Sequence, residues 1–229
     1  FDWMITIGSA VPALLWGVAV GNIVQGVPID ADKNFTGSLL TLLNPYGLWV
    51  GVTTLLLFFL HGVYFVGLKT DGQVHHDAQA LGKKLAIPTV IFAAGCVVWT
   101  IAIAAGRDAP LLWAVIACGV IAAVALLASV AFNWVDRDGR AFAAGAVTIV
   151  FAVLTLWLAL FPYVMPASND PANSLTIANA SSTQMTLEIM SWAALVFLPL
   201  VLAYQAWTYW VFRKRVTRTM IEKAEASAH

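Results

Sequence analysis

Apolar and polar positions alternate along this chain in long blocks. Six apolar runs, about Trp3–Asn22, Leu48–Leu68, Leu85–Ala105, Leu111–Asn133, Ala141–Val164 and Leu187–Phe212, are separated by segments rich in Gly, Pro, Asn and Asp. A helix needs ~20 mostly apolar residues to cross ~30 Å of hydrocarbon. Each run therefore predicts a transmembrane helix, and together they predict one all-α, polytopic helical bundle. The segment Ser181-Ser182-Thr183-Gln184 has the spacing of a capping box opening the sixth helix. Phe1, with no initiator Met, lies directly before the first run, which is too long for a signal peptide. The chain is therefore expected to be incomplete at its N-terminus.

Composition sharpens this picture. Of 229 residues, 61% are hydrophobic and only 10% charged, with a mean hydropathy of +0.84. Soluble domains carry roughly 25% charged residues, so water cannot be the solvent for most of this surface. Twelve basic and twelve acidic residues cancel. No stripe of cations interleaved with stacking aromatics is present, which argues against nucleic acid as a partner. Cys96 and Cys118 sit inside apolar runs without a CxxC or His/Cys neighbourhood, the pattern of buried thiols.

The distribution of cations sets the expected threading, because cytoplasmic loops collect Lys and Arg. Lys69, Lys83 and Lys84 follow the second run, Arg137 and Arg140 follow the fourth, and Arg213, Lys214, Arg215, Arg218 and Lys223 follow the sixth. Those ten fall on one side. Lys33 and Arg107 alone fall on the other. Both ends of the chain are thus expected on the cytoplasmic side. Trp3, Trp134, Trp207 and Trp210 mark one interface, and Trp49, Trp99, Trp113 and Trp192 lie toward the other, since indole prefers the headgroup zone.

Few residues carry candidate chemistry. Gly17 and Gly21 have GxxxG spacing, which lets a neighbouring helix come close. Asn22 and Gln25 follow at the outer end of that helix, ahead of Gly26-Val27-Pro28. His61 is the only histidine within a run, so a bis-histidine haem site cannot form from this chain alone. Its expected role is an interhelical hydrogen bond. His75 and His76 are placed in a solvated loop beside Asp71 and Asp77. Glu188, about one turn into the sixth run, is a candidate for a proton path because a carboxylate is costly in lipid. The cluster Tyr204, Gln205, Trp207, Tyr209 and Trp210 is explained by interfacial anchoring. No P-loop, dinucleotide fingerprint, nucleophile elbow or metal motif occurs. The residues themselves leave open an oxidoreductase subunit, a small-solute transporter and a purely structural assembly subunit.

Three stretches read together resemble one family: Gly17-Val18-Ala19-Val20-Gly21-Asn22-Ile23-Val24-Gln25-Gly26-Val27-Pro28, then Leu43-Asn44-Pro45-Tyr46-Gly47-Leu48, then Phe161-Pro162-Tyr163-Val164-Met165-Pro166 with Ala180-Ser181-Ser182-Thr183-Gln184. In order and spacing they resemble subunit II of cytochrome bd-type quinol oxidases. The resemblance implies nine transmembrane helices, of which these would be the last six. It implies a complex that oxidises quinol, reduces dioxygen to water and generates a proton-motive force. It implies two b-type haems and one d-type haem held by partner subunit I, and none held by this chain. Membrane lipid, quinone and small accessory subunits are further partners it implies. The acidic residue that the family carries on an early helix has no counterpart here, and the roles of His61 and Glu188 do not carry over from it. The connection Gly106–Pro110 is short where some relatives have a long insertion.

Overall fold

A computed structural model describes residues 1–212. Its helices are α1 (Asp2–Gln25), α2 (Leu39–Leu42), α3 (Pro45–Lys69), α4 (Gln73–Gly106), α5 (Leu112–Trp134), α6 (Asp138–Leu160), α7 (Ile177–Ala180) and α8 (Gln184–Val211). A two-stranded antiparallel ribbon, β1 (Tyr163–Met165) and β2 (Leu175–Thr176), lies between α6 and α7. Six helices, α1, α3, α4, α5, α6 and α8, are long and apolar enough to span a membrane. The cations Arg213, Lys214, Arg215, Arg218 and Lys223 lie outside the described residues.

Local chemistry fixes the helix ends. Asn44 caps α3 by accepting from the Gly47 amide at 2.7 Å, and Pro45 fills the first helical position, where a missing N–H costs nothing. α1 stops at Gly26, whose φ of 91° suits glycine. α4 starts after Gly72 at φ 67°, twelve residues earlier than the hydrophobic pattern suggests. Its 34 residues make about 50 Å of helix, longer than a hydrocarbon core, so its first turns are polar. Lys83, Lys84, His75 and His76 therefore stand on a helix and not in a loop. The fifth span ends at Leu160; Phe161–Pro162 is a cis peptide, and Val164 belongs to β1. The capping box expected at Ser181–Gln184 does not form, because Thr183 is the N-cap of α8 and its side chain makes no capping bond. A capping box closes instead on α7, where Asn179 donates to Thr176 Oγ1 and accepts from the Thr176 amide.

α3, α4, α5 and α6 form a bundle, and α1 packs along α3. Two apolar centres hold it. One gathers Val24, Tyr46, Val50, Cys96, Ala104, Val115 and Ala159. The other gathers Leu57, Leu60, Tyr64, Leu126 and Ala141. Between them lies a cavity of about 380 Å³, bounded by Thr53, Leu57, Cys96, Ala122, Leu126 and Thr155 among others. Large apolar side chains also point outward, including Ile87, Val98, Val124, Trp157 and nearly all of α8. A hydrocarbon surrounding suits such a surface while the backbone hydrogen bonds stay inside the helices. Both cysteines are free thiols.

Candidate functional site: polar seams between the helices

Glycines bring α1 and α3 into close contact. A Cβ built on Gly17 would lie 2.7 Å from the Gly51 Cα, and one on Gly21 would lie 3.0 Å from the Gly47 Cα. Gly17 and Gly21 thus sit opposite a second glycine pair at the same spacing. Gly47 and Gly51 carry the same i, i+4 signal, and that signal is what would find the second half of the seam from sequence.

Asn22 stands at the end of this seam, 4% exposed. Its amide donates to the Val18 carbonyl at 2.8 Å and the Leu42 carbonyl at 2.6 Å, and its oxygen accepts from Asn44 at 2.6 Å. One buried amide thereby ties α1, α2 and the cap of α3. Gln25 is different. Its Oε1 is buried without a hydrogen-bond partner among the described residues, while its backbone carbonyl, with that of Val24, accepts from the Arg107 guanidinium. Arg107 reaches across 82 residues to cap the C-terminus of α1, where a cation meets the negative end of the helix. Burial pulls its pKa down from the ordinary guanidinium value. Beside it, Tyr46 and Thr100 share a buried hydrogen bond of 2.8 Å, and Thr100 also donates to the Cys96 carbonyl at 2.7 Å.

Trp49, near the start of α3, is held between helices. It donates Nε1–H to the Phe92 carbonyl at 2.9 Å and packs on Phe92 and Trp99, because the small Gly95 on α4 admits its indole.

Among the described residues His61 Nδ1 has no hydrogen-bond partner. Its ring stacks on Phe142 of α6 with centroids 4.4 Å apart, and its buried Nδ1 lies against Gly145 without a partner. Among the described residues no three His, Cys, Asp or Glu side chains converge as a metal-binding group.

His75 belongs to a part-buried contact on a helix instead of a solvated loop. Its Nδ1 is 2.8 Å from the Gly67 carbonyl and 3.8 Å from Asp138 Oδ2. Gln79, 8% exposed, donates to Asp138 Oδ1 at 3.2 Å. α4 brings His75 and Gln79 to the start of α6 because they are one helical turn apart. Glu188 is exposed on α8 and accepts from Gln184 at 3.1 Å. The structure therefore brings Gly17, Gly21 and Asn22 into one seam, with Gln25 at its edge, and leaves His61 and Glu188 apart from it and from each other.

Residues 1–212 match the family model for cytochrome bd terminal oxidase subunit II. The chain belongs to that family. Its similarity to the cytochrome bd-I ubiquinol oxidase subunit 2 of Escherichia coli is 33% identity, over 97% of this chain and 67% of that protein. The cytochrome bd ubiquinol oxidase subunit 2 of Bacillus subtilis is 34% identical over 95% of this chain and 64% of its own length. A probable cytochrome oxidase subunit 2 of Haemophilus influenzae is 31% identical over the whole chain and 69% of its own length. The chain thus spans about two thirds of the length of these relatives. As a member of the subunit II family it is a multi-pass membrane protein of a respiratory terminal oxidase.

Proposed function

We propose that this chain is the non-haem subunit II of a bd-type oxidase that couples quinol oxidation to the reduction of dioxygen to water. In this reading a partner subunit I holds two b-type haems and one d-type haem, which supply the electron transfer and oxygen chemistry. This chain packs against subunit I, stabilises it, and contributes to proton access or to binding of quinone or lipid. The C-terminus lies in the cytoplasm, so that the ten cations flank that face of a prokaryotic cell membrane. Turnover then builds a proton-motive force.

The observation that carries the proposal is the family match over residues 1–212, joined by relatives whose names state ubiquinol oxidation. The apolar cavity supports the quinone or lipid part, because its volume and lining suit an acyl or isoprenoid chain. Lys69 reaching the Phe212 carbonyl at 2.6 Å, and Lys83 pairing with Asp136 at 3.5 Å, support one shared cationic face.

Affinity purification of the tagged chain from membranes tests the proposal. A second polypeptide and the absorption bands of b- and d-type haem are expected together, with quinol-dependent oxygen consumption. Stoichiometric haem on the isolated chain overturns it, as does uptake of a solute by the chain without any haem-bearing partner.

A further inference from the structure

The apolar cavity reaches the surface of the bundle at mid-depth. Among its lining side chains, Trp16 of α1, Phe58 of α3, Leu127 of α5 and Val153 of α6 are exposed, and each stands near the middle of its helix. In a helix that crosses a membrane, the middle faces hydrocarbon and neither aqueous side. α1 leans on α3 and barely touches α6, which leaves the seam between α1 and α6 loosely closed. A second, shallower depression lies in that seam. It is lined by Val20, Ile23, Val24, Leu156, Trp157 and Leu160, and it shares Val20, Leu156 and Trp157 with the cavity. The apolar lining therefore follows α6 from Thr148, at mid-depth, to its last turn, and reaches the last turn of α1 beside it.

The lining decides what such a track holds. Thr53, Thr54, Thr100, Thr148 and Thr155 border the cavity, and each donates its hydroxyl proton to the carbonyl one turn back. The rest of the lining is hydrocarbon, apart from the Cys96 thiol, a weak donor, and the indoles of Trp16 and Trp157. A quinone ring has two carbonyls that would leave water and meet no free hydroxyl proton inside, and that loss is not recovered. An alkyl chain loses no hydrogen bond there and gains dispersion contacts. Length separates the two kinds of alkyl chain. From Thr148 to Leu160 the track follows about 18 Å of α6, close to the ~15 Å that one leaflet contributes to a ~30 Å core. One phospholipid acyl chain fills that length, whereas the polyisoprenoid tail of a quinone runs to several times it.

We propose that the cavity and the α1–α6 seam bind one acyl chain of a membrane phospholipid, with its head group at the ends of α1 and α6 and its chain end among the threonines. The small side chains of Ala93, Ala122 and Ala152 leave the room it occupies. The proposal rests on the lipid part of the reading above, which it narrows by leaving quinone out of this site.

The test is photo-crosslinking of the assembled protein in lipid nanodiscs. The probe is a phosphatidylcholine with a diazirine at the end of one acyl chain, and labelled residues are mapped by mass spectrometry. Label is expected inside the cavity at Cys96 and Ala122, which are buried, as well as on outward-facing residues such as Val98 and Val124. Ala122→Trp fills the cavity. It is expected to lower the interior label several-fold and to leave the outward label unchanged. Two polyisoprenoid quinones, one with the diazirine on its ring and one with it at its tail end, are expected to leave the interior unlabelled. A wild-type interior free of lipid label, interior label unaltered by Ala122→Trp, or interior label from either quinone each overturns the proposal. If Ala122→Trp fails to fold, the milder Ala152→Leu takes its place, and the three probes on the wild type still decide. The same preparation is scanned for b- and d-type haem, so that failure of the oxidase reading shows as missing haem bands and leaves the labelling result standing.

Discussion

Gly17 of α1 and Gly51 of α3 meet so closely that a Cβ on the first would lie 2.7 Å from the Cα of the second. No side chain fits between them. In lipid, where apolar burial gives helices little reason to associate, such backbone contact supplies dispersion over the whole seam.

Gly17→Val is therefore expected to push α1 off α3 and lower stability by about 1–3 kcal/mol, the usual cost of overpacking. Gly8 is the control, since nothing lies within 4 Å of a Cβ built there. Gly8→Ala should be neutral or stabilising by up to about 1 kcal/mol, from helix propensity alone. Thermal unfolding of the two purified variants, side by side, checks both.

Asn22→Leu removes three hydrogen bonds and leaves the Asn44 amide facing an apolar side chain. A loss of about 1–3 kcal/mol is expected for the unpaired groups it creates. Melting temperature checks the size. Limited proteolysis near Leu39–Leu42 checks the place, because α2 is tied down by the Asn22 contact to Leu42.

Arg107→Met takes away the cation at the C-terminus of α1 and exposes the Val24 and Gln25 carbonyls. The expected loss is about 1–2 kcal/mol. Arg107→Lys should restore only part of it, since an ammonium lacks the fork that reaches two carbonyls at once. Comparing the three melting temperatures tests the two-carbonyl geometry.

Glu188→Gln is expected to change fold stability by no more than about 0.5 kcal/mol, because its carboxylate is exposed and accepts from the neighbouring Gln184 on the same helix. A fall in proton release by the assembled oxidase in this variant would then report on the carboxylate itself, not on folding.

Much of this architecture is legible in the order of residues alone. Six spans follow from unbroken apolar runs, since lipid demands length and apolarity over the same residues. Gly17 and Gly21 are legible because spacing alone puts them on one face. What stays hidden depends on chain pieces far apart. The start of α4 escapes the hydrophobic pattern because its first turns project beyond the apolar layer and carry His, Asp and Gln like a loop. The pairing of His75 with Asp138, and the cap that Arg107 sets on α1, are contacts over 63 and 82 residues, with no local pattern. Thr53, Thr89, Thr100, Thr148 and Thr155 are a quieter case. Each is buried, yet each donates to the carbonyl one turn back, so a hydroxyl in a span need not signal chemistry.

The segment after α1 is clasped to the one after α6, with Asn169 accepting from the Ile29 amide at 3.0 Å and donating to the Ile29 carbonyl at 2.9 Å, across 140 residues. During synthesis, Ile29 leaves the ribosome long before its clasp exists. The first hairpin must therefore wait, half-finished at that end, until α3, α4, α5 and α6 have been made.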